Sequence, residues 1–282
     1  MKNVFKSLLV ASLTAGMVLS MAACGGKSSE SSSAKSSSAS AASSTASEKS
    51  AVADIKKSGT LTMCTNAEFK PFEFKKGNDI KGIDVEISKA IADDLGVKLK
   101  ISDIAFDSLI PSLQAGKADM AAAGITVTED RKKNVDFSDT YFNASQTIIV
   151  TKGSDIKNRT DLNGKVVGVQ TGTTGDTYCT NQDGKSDIKV KEVRRYNKGM
   201  DAVADLISGR INAVVIDNYP AKKLVEQNSD KIALLSDSLT SESYAIACPK
   251  GSDLTAEINK VLKDLKDSGK LQKIMDEYIS EK

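Results

Sequence analysis

Arg131 sits in the run ITVTEDRKKNVDFSD, five residues after Thr126, and a guanidinium is a planar, bidentate donor suited to a carboxylate. The Thr126 hydroxyl and backbone would add donors beside it. Taken alone, Arg131 next to Glu129 and Asp130 reads first as a solvated helix start. Asp217, directly after the apolar strand INAVVI, is the counter-charge an ammonium would need. Its plainer alternative is the N-cap of a helix beginning near Tyr219, and the two roles are compatible. The loop QTGTTGD offers backbone N–H groups at a helix start, although Gly and Thr are also ordinary turn residues. Phe69 and Phe106 each follow a strand and either sandwich a ligand side chain or belong to the core. A cation, an anion and two aromatic faces suit a small zwitterion. Both of its charges must be met, because a buried unpaired charge is costly.

Composition removes several other chemistries. The chain of 282 residues has no His, which excludes His-dependent triads and proton shuttles. Beyond Cys24 it carries Cys64, Cys179 and Cys248, an odd set with no close pair. That spacing gives neither a disulfide framework nor a metal site, and leaves the redox state of these thiols open. The formal charge of +2 is spread without a basic tract in the domain, so no nucleic-acid partner is expected. No catalytic residue, metal or cofactor is assigned.

The elements that must position these residues begin after a leader. Lys2 and Lys6, the apolar run from Leu8 to Val18 and the small residues before Cys24 read as a secretory signal over 1–23. Its apolar core is too short to span a bilayer. Cys24, directly after Ala22 and Ala23, resembles the Cys of a bacterial lipobox, which implies that it is acylated; the Ser/Ala-rich remainder of 24–53 reads as a disordered tether with a reach on the order of 30 Å. Strand and helix patterns then alternate. A strand is expected at Leu61–Thr65, a helix over Asp84–Leu95 with Asp84 as N-cap and Gly96 beyond its end, and a strand at Lys98–Ile101. A helix over Asp107–Ala115 and a strand over Ala118–Ile125 follow.

The pattern restarts with KVVGVQ, IKVKEV, a helix in KGMDAVADLISG and the strand INAVVI. Such alternation argues parallel βαβ units in open sheets, here as an α/β protein of two similar lobes. The segments QTIIVTKG and YAIACPKG flank the second unit, so the chain crosses between lobes twice. The expected division is 54–147 for the first part of lobe 1, 148–243 for lobe 2, and 244–282 for a return to lobe 1 as two amphipathic helices. Ligands of open α/β sheets bind at the carboxyl ends of the strands, which places the cleft between the lobes.

The segment GIDVEISKAIADDL, Gly82 to Leu95, fits the signature of the bacterial family-three extracellular solute-binding proteins, the polar amino-acid receptors of ABC importers. TNAEFKPFEF, FDSLIPSLQAGKADMAAAGITVTEDRKKNVDFSD, GKVVGVQTGTTGD, AVVIDNYPA and SYAIACPKGS resemble successive blocks of that family, in order. The resemblance covers essentially all of 54–282. It implies a periplasmic-binding-protein-like (type II) fold whose two lobes shut on a ligand about two hinge crossovers. It further implies that Phe69 and Phe106 stack on the ligand side chain, that Gly124, Thr126 and Asp217 receive the ammonium, and that Arg131 clamps the carboxylate. Donors from Thr126 and Thr173 join that clamp, Thr174 is a further ligand-binding residue, and Gln170 faces the side-chain pocket. Many relatives have an Asp where this chain has Asn66, which weakens the case for a cationic ligand unless Glu68 turns inward. The ligand stays open among neutral polar, cationic and cystine classes.

The implied protein is a lipid-anchored monomer on the extracellular face of the cell membrane. It would deliver a polar amino acid to the transmembrane subunits of an ABC permease driven by a cytoplasmic ATPase. The alternative is an enzyme on the same scaffold, similar to cyclohexadienyl dehydratases, which needs a positioned proton donor in the cleft. Glu68 is the candidate for that role.

Overall fold

The computed structural model describes residues 50–280. The signal segment, Cys24 and most of the tether therefore lie outside the described residues. The helix Ala51–Ser58 takes in the last three residues, 51–53, that were expected to belong to the tether. Ser50 caps that helix by accepting from the Ala53 N–H, and its hydroxyl donates to Asp253.

Two five-stranded sheets carry the fold. The first has the order Lys98–Asp103, Thr60–Thr65, Met120–Ala121, Ala247–Pro249, Val135–Phe137. The second has the order Glu192–Tyr196, Val166–Gln170, Ala213–Asp217, Gln146–Thr151, Ile232–Leu234. In each, the first three strands are parallel and the remaining pairings antiparallel. The apolar runs that feed these strands, such as Ala213 to Ile216, are buried, as parallel strands covered on both faces require. A two-stranded ribbon, Phe142–Ala144 against Glu242–Tyr244, carries the chain out to the second sheet and back. These are the two crossovers. The helices Leu254–Asp267 and Lys270–Ser280 then return to the first lobe. They bury Leu254, Ile258, Leu262 and Leu271 in the cluster that holds Ile83, Ile87 and Ile91. Each such side chain contributes about 1.5–3 kcal/mol through burial.

Four local expectations change. The strand expected in IKVKEV, residues 188–193, forms instead over Glu192–Tyr196. The helix Ile83–Leu95 ends at Gly96 as expected, but Gly82 occupies its N-cap and Asp84 lies buried inside the first turn. Gly82 has φ 132°, and a Cβ there would stand 2.1 Å from the Phe72 carbonyl oxygen, so only glycine fits. The helix over 107–115 opens as a 3-10 turn at Phe106–Ser108 and becomes α-helical at Leu109–Gln114. The strand over 118–125 is regular only at Met120–Ala121. Beyond it the chain reaches Gly124 at φ 52°, a left-handed conformation that a β ladder cannot contain. Among the described residues no helix is long and apolar enough to cross a membrane.

Candidate ligand-binding site

Arg131 answers both readings of its neighbourhood. The short helix Glu129–Lys132 is capped by Thr128, whose hydroxyl accepts from the Arg131 N–H at 3.2 Å. Its acids face solvent and pair along the chain, Glu129 with Lys132 at 2.9 Å and Asp130 with Lys133 at 2.6 Å. The guanidinium turns the other way. It donates to the Thr126 carbonyl at 2.8 Å and, across the cleft, to the Gly172 carbonyl at 3.0 Å. It also lies 5.4 Å from the Phe106 ring centroid, a cation–π contact. Burial lowers its pKa while Glu242 and Asp217 oppose the change, and an arginine remains protonated through such shifts.

Asp217 ends the strand Ala213–Asp217, opposite Gln146 in antiparallel register. It is at the N-cap position of the helix Asn218–Gln227, yet its side chain makes no capping bond. Its carboxylate instead accepts the Tyr244 hydroxyl at 2.5 Å. Burial, with the Glu242 carboxylate next in weight, pushes the Asp217 pKa up to about 7. Glu242, which sequence reasoning missed, ties the site together. One of its oxygens accepts from the hydroxyls of Thr126 at 2.6 Å and Thr174 at 2.9 Å, and the other from Thr240 at 2.7 Å. An arginine and two buried carboxylates thus share one small region where the lobes meet. Thr173 uses its hydroxyl to cap the helix Thr174–Thr180, accepting from the Asp176 N–H at 3.3 Å and donating to the Gln170 carbonyl at 2.9 Å.

Gly124 is fixed from behind. Its N–H donates to Asp84 at 2.8 Å, and the other Asp84 oxygen accepts the Tyr141 hydroxyl at 2.7 Å. Glu73, 1 % exposed, lies beside Asp84, and no N–H or O–H group donates to its oxygens. Burial first, and Asp84 second, hold its pKa well above the carboxylate range, so Glu73 stays neutral. In front of Gly124 stands Phe69, whose ring would be 2.7 Å from a Cβ at that position. A side chain there would push the aromatic face out of the cleft.

Beside this region lies a cavity of about 250 Å³ lined by Glu68, Phe69, Gln170 and Ile216 among others. Arg131, Thr126 and Asp217 are not among its lining residues; Ile216, next to Asp217 in the chain, connects the two regions. Two more polar links cross the cleft here. Gln170 donates to the Asn66 side-chain oxygen at 2.9 Å and to the Asn197 carbonyl at 3.0 Å, while Asn66 donates to the Ile104 carbonyl at 2.9 Å. Glu68 does not stand free in the cleft, because Lys198 reaches it from the second lobe at 2.5 Å. Among the described residues no cluster suits a metal ion. Cys64, Cys179 and Cys248 are unpaired and buried, and burial pushes each thiol up to about 12.

Glu242, Tyr244 and Lys198 left little trace in the sequence. Glu242 lies among Ser and Thr in a short ribbon strand, where an acid reads as a solvated turn. Lys198 precedes a helix like any exposed lysine. Tyr244 was visible as the first residue of the second crossover, without a hint that its hydroxyl reaches Asp217.

The model of the bacterial extracellular solute-binding proteins, family 3, matches residues 61–281. The arginine-binding extracellular protein ArtP of Bacillus subtilis (strain 168) is 36 % identical over 222 residues, covering 78 % of this chain and 86 % of its own. Among solved structures, the P235GK mutant of ArgBP from T. maritima is 46 % identical with a TM-score of 0.76, covering 82 % of this chain and 99 % of its own. An ancestral arginine-binding protein bound to glutamine is 42 % identical with a TM-score of 0.73, covering 79 % and 100 %.

Proposed function

Because the chain belongs to the bacterial extracellular solute-binding proteins of family 3, and so acts outside the cytoplasm, we propose that its cleft binds a polar L-amino acid by both charged ends. The observation that carries this reading is the placement of Arg131 and Asp217 on opposite lobes, linked through Thr126, Glu242 and Tyr244. Arg131 keeps N–H groups beyond the two already bonded to carbonyls, and these would take the ligand carboxylate. Asp217, with the Gly124 carbonyl and Thr126, would take the ammonium. Phe69 and Phe106 would flank the side chain. A ligand held in this way touches both lobes and therefore favours the closed form, which is the condition for it to shift the equilibrium.

The wider assignment is delivery to an ABC permease with a cytoplasmic ATPase, by a monomer held on the extracellular face through acylated Cys24. The relatives compared above are named as binding proteins, and a binding role without catalysis is the reading kept here. Glu68, the proton donor an enzyme of this scaffold would need, is held by Lys198. The test is a thermal-shift screen of residues 50–282 against the proteinogenic amino acids and cystine. A ligand at a hundredfold excess over its Kd stabilises by about 2.7 kcal/mol. No shift with any of them would remove the proposal, as would turnover of a prephenate-like acid to an aromatic product.

A further inference from the structure

We propose that Lys198 is a specificity-determining residue: from the second lobe its ammonium fills the cation place at Glu68, so the closed cleft selects an uncharged polar side chain over a positively charged one. This rests on the amino-acid reading above and names the ligand class within it.

Glu68 is the only carboxylate among the described residues that line the cavity, and it is 15 % exposed. Lys198 stands on it at 2.5 Å while keeping 43 % of its own side chain exposed. Lys198 approaches Glu68 from outside the cavity lining, while three other lysines are part of it. Lys75 pairs with Asp103 at 2.7 Å, Lys223 with Glu226 at 3.3 Å, and Lys70 lies 5.1 Å from the Phe74 ring centroid. A ligand ending in a guanidinium or ammonium would have to displace Lys198 from Glu68. It would then place the displaced Lys198 ammonium beside its own charge, and like charges in a confined site repel. An amide or other uncharged group meets no such competition. It finds the Asn66–Gln170 pair, which offers dipoles without net charge. Position 66 carries no carboxylate to rebalance the site. The latch also joins the lobes, so a cationic ligand would loosen one of the links that hold the cleft shut.

The experiment is calorimetry at low ionic strength with L-arginine, its uncharged isostere L-citrulline, and L-glutamine. It uses the wild-type domain, Lys198→Met, and Lys198→Met combined with Glu68→Gln. Lys198 is exposed enough for its substitution to leave the fold intact. In the wild type an uncharged probe is bound more tightly than arginine. Lys198→Met raises the arginine-to-citrulline affinity ratio by about two- to fivefold, the scale of a partly exposed ion pair. The double variant loses that gain, because Glu68 no longer offers a charge. A ratio unmoved by Lys198→Met overturns the proposal, and so does a wild type that prefers arginine. A wild type that binds no amino acid at all in the thermal screen is a different result, which removes the reading of the whole site.

Discussion

Arg131 makes its two carbonyl bonds with only part of its donor set, so its replacement strands the ligand rather than the protein. Arg131→Ala is expected to weaken amino-acid binding by roughly 3–5 kcal/mol, the cost of leaving one member of a buried ion pair unmatched. Calorimetry showing near-unchanged affinity would take Arg131 out of the site. Asp217 adds a pH signature. Burial and the neighbouring Glu242 push its pKa up to about 7. An ammonium favours the ionised carboxylate, so binding releases a proton as Asp217 ionises. Affinity therefore rises with pH up to about 7 and levels off above it. Asp217→Asn flattens the profile and leaves a ligand without an amine almost unaffected; an unchanged slope in that variant would contradict the assignment. At this scale the sequence showed which charges were present but not their aim. Arg131 turns inward to the Thr126 and Gly172 carbonyls, while its acidic neighbours pair with Lys132 and Lys133 outside the cleft. The role of Glu242 depends on three hydroxyls brought together from distant parts of the chain.

The helix Ile83–Leu95 shows how an element supports the site without touching a ligand. Its spacing of Ile87, Ile91 and Leu95 and its terminal Gly96 were readable as a packed helical face and its end. Asp84 looked like a cap and is instead the post that holds Gly124, a contact across forty residues that no local pattern encodes. The strand leading to Gly124 was overextended for the same reason: alternation and apolar content continue to Ile125, while the left-handed turn at Gly124 is imposed by Asp84 behind and Phe69 in front. Glu73 gives this element a stability test. Its folded pKa lies far above its unfolded value. The stability it contributes is therefore present below the ordinary carboxylate range and is lost as pH rises toward the folded value. Glu73→Gln keeps a neutral donor beside Asp84. Its melting temperature should match the wild type in mild acid and fall less steeply toward alkaline pH. A variant that falls as steeply as the wild type would mean that Glu73 is not the titrating group.

For the whole molecule, two open sheets joined by the ribbon Phe142–Ala144 and Glu242–Tyr244 make a cleft whose closure is carried by a few polar links. Arg131 to Gly172, Gln170 to Asn66 and Lys198 to Glu68 span it. Hinged lobes of this kind open and shut about short crossovers, and a ligand bridging them shifts the balance by its differential contacts. The alternation of strands and helices and the two similar crossover segments made this architecture legible from the chain alone. The links across the cleft were not, since each joins residues that only the closed lobes bring together. The most direct test of the account is a crystal structure of the domain with the amino acid that gives the largest thermal shift. The account predicts the ligand carboxylate within hydrogen-bond distance of the Arg131 guanidinium and its ammonium within that distance of Asp217, between closed lobes. A ligand bound elsewhere, or held in the cleft with neither group in contact, would contradict it.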